Sequence, residues 1–168
     1  MSPKTQAPRR ASILLAAALA ASPLPSLATD LTSTFNVTAT VLASCTLTAG
    51  NVVFGNYAAA QLDATGTLSV TCTTGASYVI ALDAGSGTGA TVATRRMTHS
   101  VSSAQTLAYS LYRDASRALV WGTTAGVNLY AGVGTGSAQS ITVYGRAAGA
   151  QYPEAGAYTD TVTATITY

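Results

Sequence analysis

Apolar and polar residues alternate again and again along this chain, in short runs separated by clusters of Gly, Asn, Asp and Ser. A period of two marks half-buried β-strands, and helical periodicity is nearly absent beyond Ala28. Leu68, Val70 and Cys72 share one face, with Thr67, Ser69 and Thr71 on the other. Tyr78, Ile80 and Leu82 repeat that pattern after Thr74-Gly75-Ala76, which predicts a β-hairpin. Further strands are predicted over residues 52–57, 107–112, 119–121, 141–146 and 159–168. Hydroxyl-rich outer faces fit two packed antiparallel sheets, each with one wet side. The fold class is therefore all-β, with an immunoglobulin-like sandwich as the expected architecture. The antibody signature itself does not carry over, because Trp121 follows both cysteines instead of lying between them.

The two ends of the pattern are its most informative parts. Leu31, Ser33, Phe35, Val37, Ala39 and Val41 alternate with Thr32, Thr34, Asn36, Thr38 and Thr40, without proline, glycine or internal charge. That run is about twice a usual strand in length. A long, flat, uncharged strand on a sheet edge invites aggregation, and natural edges are normally blunted by charge, proline or a bulge. Two possibilities stay open: the segment is covered within its own domain, or it adds to another sheet. At the other end Val162, Ala164, Ile166 and Tyr168 alternate with threonines, and a further strand beside them is not expected from this chain.

Charge divides the chain. Lys4, Arg9 and Arg10 precede an apolar run from Ala11 to Ala21 that is too short to span a bilayer, and Ser26-Leu27-Ala28 offers small residues where signal peptidase needs them. Residues 1–28 are read as a signal peptide, 29–42 as an N-terminal strand and 43–168 as one domain. No other segment is apolar enough for stable membrane insertion. Three of the eight basic residues belong to the leader, so five arginines face six carboxylates in the remainder. With no lysine there and no basic cluster beyond Arg95-Arg96, the electrostatic basis for nucleic-acid binding is missing. Cys45 and Cys72, in an exported chain, are expected to form one disulfide. A zinc or redox pair fits poorly, since there is no CxxC and His99 is the single histidine.

Catalysis is not expected, and neither is a cofactor or a metal. His99 has serines nearby but no GxSxG turn, and the carboxylates are scattered singly; it reads as a surface histidine. Gly85-Ser86-Gly87-Thr88-Gly89 lacks the lysine and following helix of a phosphate loop and reads as a flexible hairpin tip. Tyr112-Arg113-Asp114 reads as a turn device, and the tyrosines as packing residues in preference to sugar platforms. Asn36-Val37-Thr38 matches a glycosylation sequon, which is expected to be unmodified.

Several stretches, taken in order, resemble the spore coat protein U domain family: Phe35-Asn36-Val37, Val53-Phe54-Gly55, Leu68-Ser69-Val70-Thr71-Cys72, Tyr109-Ser110-Leu111-Tyr112-Arg113-Asp114, Val143-Tyr144-Gly145-Arg146 and Gly156-Ala157-Tyr158-Thr159-Asp160-Thr161-Val162. That family includes subunits of archaic chaperone-usher pili. The resemblance implies an incomplete immunoglobulin-like sandwich lacking its last strand, completed by a donor strand from a neighbouring subunit. Leu31, Phe35, Val37, Ala39 and Val41 would then be the donor residues, and Val162, Ala164, Ile166 and Tyr168 the edge of the acceptor groove. The implied partners are identical or related pilin subunits, a periplasmic chaperone and an outer-membrane usher. The implied location is the cell surface, in pilus fibres with a role in adhesion and biofilm formation. A self-closed spore-coat or surface protein is the alternative.

Overall fold

The computed structural model describes residues 27–168, so the predicted signal peptide lies almost wholly outside the described residues. The chain divides into Met1–Ala39 and Thr40–Tyr168. In the first unit residues 27–39 are exposed and form no strand. The alternation over residues 31–41 is thus real in sequence but unrealised as a ladder, because a strand exists only when its backbone groups find a partner.

The second unit is built of nine strands and, among the described residues, no helix: β1 Cys45–Ala49, β2 Leu62–Cys72, β3 Ser77–Leu82, β4 Arg95–His99, β5 Thr106–Tyr112, β6 Tyr130–Val133, β7 Gln139–Ala147, β8 Tyr158–Thr159 and β9 Ala164–Thr167. A six-stranded sheet runs β1-β2-β7-β5-β4-β8 and a three-stranded one β6-β3-β9. Every pairing is antiparallel.

The predicted hairpin is corrected. β2 and β3 lie in different sheets, so the turn between them carries the chain across the core and does not return it alongside itself. Gly75 supplies the positive φ of 81° that this crossing needs, and its N–H donates to Gly134 O at 2.9 Å. The strand predicted at residues 159–168 is likewise two pieces: β8 pairs with β4 in one sheet and β9 with β3 in the other. Residues 52–57 join no ladder, and residues 119–121 contribute only a bridge between Tyr112 and Val120. β5 and β7 fall where the alternation placed them.

Inward-facing residues of both sheets form the core: Leu68 and Val70 from β2, Tyr78, Ile80 and Leu82 from β3, Tyr109 and Leu111 from β5, Ile141 and Val143 from β7. Trp121 is fully buried, donates its indole N–H to Ile80 O at 2.9 Å and stacks on Tyr130 with centroids 5.4 Å apart. Deleting a ring in such a place costs about 3–5 kcal/mol.

Two polar side chains lie in the interior of the domain. Arg95 has no exposed surface, and its guanidinium donates to Asp83 O at 2.8 Å, Val92 O at 2.8 Å, Leu82 O at 3.1 Å and Trp121 O at 2.8 Å. Burial pulls its pKa down, while Tyr109, Asp83 and Asp160 oppose the shift. His99 is also buried, a correction to the expected surface residue. Its Nδ1 accepts the N–H groups of Val101 and Ser102 at 3.1 and 2.8 Å, which leaves the proton on Nε2, 3.3 Å from Ala155 O.

Candidate functional site

A groove of about 1300 Å³ opens between the sheets. Its floor carries core side chains: Leu68, Val143, Leu111, Tyr109, Leu107 and Met97 from the six-stranded sheet, with Leu82 from the other. Taken in sheet order these belong to β2, β7, β5 and β4, so the groove crosses the strands of the larger sheet. One wall is residues 49–59 and the other residues 151–162, continuing into Ala164 of β9.

Both walls offer free backbone. β9 is the last strand of its sheet, paired on one side only. In the opposite wall Val52 and Phe54 turn inward and Val53 is 73% exposed, the side-chain alternation of a strand without its ladder. Unpaired backbone groups at the rim of an apolar groove are the requirements of strand addition: hydrogen bonds along the edge and a pocket for every second side chain.

A hydrogen-bonded clasp holds the wall where the chain changes sheets. Asp160 Oδ1 accepts from Ser86 N and Ser86 Oγ, both at 2.7 Å, and its Oδ2 accepts from Tyr109 OH at 2.7 Å. Beside it Asp83 Oδ1 takes the N–H groups of Gly85 and Thr163, both at 2.9 Å. Burial opposes the charge on Asp83, but these bonds and the nearby Arg95 outweigh it and lower its pKa. Gly85 has a φ of 81°, and a Cβ there would collide with the Asp160 carboxylate. The segment expected to be a flexible tip is therefore pinned. Burial and the bond to Asp160 together raise the pKa of Tyr109 far above its ordinary value.

The residues singled out in the sequence divide as follows. Cys45 and Cys72 are joined, with sulfurs 2.03 Å apart, across the β1–β2 ladder. Leu31, Phe35 and Val37 are 99%, 86% and 84% exposed, Val41 is 82% exposed, and Ala39 is exposed too. Of the expected groove edge, Val162 and Ala164 line the groove. Ile166 packs on the core further along β9, and Tyr168 sits in a separate shallow depression with Tyr78 and Val133. Pattern reading missed Phe54, Tyr109 and Asp160 as groove residues; all three occur in the stretches that carry the family resemblance, and no local signal marks them. Among the described residues no group of three His, Cys, Asp or Glu is placed to hold a metal.

Antiparallel sheets around an open groove floored by core side chains define an all-β protein. The chain belongs to the Spore Coat Protein U domain family, whose pattern matches residues 31–165. It is 36% identical over 160 residues to Protein U of Myxococcus xanthus, covering 86% of this chain and 88% of that protein. Among solved structures it resembles the chaperone–tip adhesion subunit pre-assembly complex CsuC–CsuE from archaic chaperone-usher Csu pili of Acinetobacter baumannii. That likeness has a TM-score of 0.59 at 21% identity, and covers 77% of this chain but only 41% of the matched one. At such identity the likeness is one of fold.

Proposed function

We propose that this protein is a structural subunit of a surface fibre, a pilin, whose units join by donor-strand complementation. In this reading the domain is an immunoglobulin-like sandwich short of one strand, and residues 29–42 of one subunit fill the groove of the next. The carrying observation is the groove itself, floored by core side chains and flanked by the one-sided strand β9. Leaving such a surface wet forgoes roughly 25 cal/mol for each Å² of apolar area that a strand would cover. The exposed residues Leu31, Phe35, Val37 and Val41 lie on one face of the extended segment, with the small Ser33 and Ala39 between them. The same strand would pair with residues 51–54 on its other side and complete a ladder there.

A free groove and a free strand in one subunit need keeping apart until assembly, so the partners proposed are a periplasmic chaperone and an outer-membrane usher. The matched solved structure is itself a chaperone–subunit complex. Surface location and a role in adhesion and biofilm formation follow from the same reading. Deleting residues 29–42 from the chain, co-produced with its chaperone and usher, tests it: fibres should vanish, and fibres that persist in electron micrographs refute donor-strand joining.

The family's name and the Myxococcus relative favour a second reading, a coat or surface protein closed upon itself. A monomer whose residues 29–42 resist proteolysis as strongly as its core would support that reading against the first.

A further inference from the structure

We infer the register of the incoming strand: Ala39 of one subunit lies over the Tyr109–Asp160 pair of the next, with Val37 beside Val162, Phe35 beside Ala164 and Ser33 beside Ile166. The inference rests on the donor-strand reading above and deepens it.

The groove is not uniform in depth. Phe54 in one wall meets the Tyr109 ring edge-on, with centroids 5.9 Å apart, and Tyr109 OH reaches Asp160 in the other wall at 2.7 Å. Phe54, Tyr109 and Asp160 thus bridge the groove from wall to wall, while the inward neighbours of Tyr109 along β5 are Leu107 and Leu111. A strand crossing this step has room there for a small side chain only. A large apolar one would also strip water from a carboxylate.

Small residues occur twice in the donor row, at Ser33 and Ala39. Direction chooses between them. Every pairing in both sheets is antiparallel, and Asp160 precedes β9, so a strand antiparallel to β9 brings its C-terminal part to the step. That residue is Ala39.

Residues directly opposite each other share a face, so fixing Ala39 fixes the rest. In the three-stranded sheet Leu82 pairs with Ala164 and Ile80 with Ile166. Adding the donor makes the rows Leu82, Ala164, Phe35 and Ile80, Ile166, Ser33, in each of which one small residue relieves two large ones. Sliding the donor two residues one way presses Phe35 on Ile166 and Val41 on the step. Sliding it the other way leaves Ser33 beside Ala164, a hole, with Val37 on the step. Overpacking and voids are both penalised, which favours the one register free of either.

Cysteine pairing tests this in assembled fibres. Ala164→Cys is combined in turn with Ser33→Cys, Phe35→Cys or Val37→Cys, and fibres are exposed to a mild oxidant before a non-reducing gel. The Phe35 pair is expected to cross-link neighbouring subunits, and the other two are not. Cross-linking through Ser33 or Val37 instead overturns the register but leaves donor-strand joining intact. Fibres that cross-link at none of the three positions overturn the register, and donor-strand joining is then judged by the deletion of residues 29–42. Independently, Ala39→Phe should slow subunit addition by at least about tenfold, while the urea midpoint of the unassembled subunit stays unchanged because Ala39 is exposed there. Unchanged addition by that variant also overturns the inference.

Discussion

Tyr109 donates its hydroxyl to Asp160 at 2.7 Å, tying β5 at the centre of the larger sheet to the segment that leads into the edge strand of the smaller one. The bond is half shielded from water and fixes the groove's far wall. Tyr109→Phe removes the donor without changing the ring, so it should destabilise the subunit by about 1.5–3 kcal/mol, the worth of a hydrogen bond to a carboxylate. Ser86→Ala loosens the same carboxylate from its other side. Because both bonds converge on Asp160, the double variant should depart from additivity by about 0.5 kcal/mol or more. Urea midpoints of the four proteins check this.

Arg95 carries a second prediction. Its guanidinium serves four backbone carbonyls from three separate segments and has no exposed surface. Arg95→Leu would leave those carbonyls unpaired in the interior, with an expected loss of about 3–5 kcal/mol. Arg95→Lys should recover little, since an ammonium cannot spread its donors over that span. Thermal unfolding of both variants decides: a lysine variant as stable as the parent would show that charge alone matters there.

These buried groups explain where the sequence was readable. Alternation located β5 and β7 because their inward residues are uniformly apolar, as at Leu107, Tyr109 and Leu111. It failed at β4, Arg95–His99, whose two buried ends are an arginine and a histidine. Nothing local announces that Arg95 meets carbonyls from residues far along the chain. The hairpin after Cys72 failed for a related reason: period two tells which residues face inward, not which sheet receives them. Residues 52–57 carried a strand pattern correctly in side-chain terms, since Val52 and Phe54 do turn inward, yet no ladder forms. Alternation marked Val162 and Ala164 as residues of one face, whereas the step in the groove depends on Phe54, Tyr109 and Asp160 meeting in space.

The Cys45–Cys72 bond closes a loop of sequence separation 27 and links the edge strand β1 to β2. β1 is the outermost strand of its sheet, and its side chains are partly buried or exposed. Cross-linking such a loop is worth about 3–4 kcal/mol in the chain-entropy picture. Replacing both cysteines with serine should lower the unfolding midpoint accordingly and expose β1 first. Hydrogen exchange should show loss of protection at residues 45–49 before residues 139–147; uniform loss would contradict a local role.

Acid should weaken the domain in a defined window. Asp114 accepts the hydroxyl of Ser116 and the N–H groups of Ala118 and Leu119, the latter two at 3.1 and 2.7 Å. These bonds favour its charged form and hold its pKa at about 2, below the ordinary aspartate value of about 3.9. A carboxylate whose pKa is depressed by folding stabilises the fold above its unfolded value, and that contribution fades as pH falls toward the folded one. Stability should therefore hold above about pH 5 and decline from there toward pH 2. Asp63, paired with Arg146 at 2.8 Å and Arg117 at 3.4 Å, and Asp83 are shifted in the same direction and steepen the decline. Asp114→Asn removes one of the three contributions, so its urea midpoint should start lower at neutral pH and fall less steeply with acid than the parent's. Parallel curves for the two proteins would mean that the turn at residues 114–119 gains nothing from the charge.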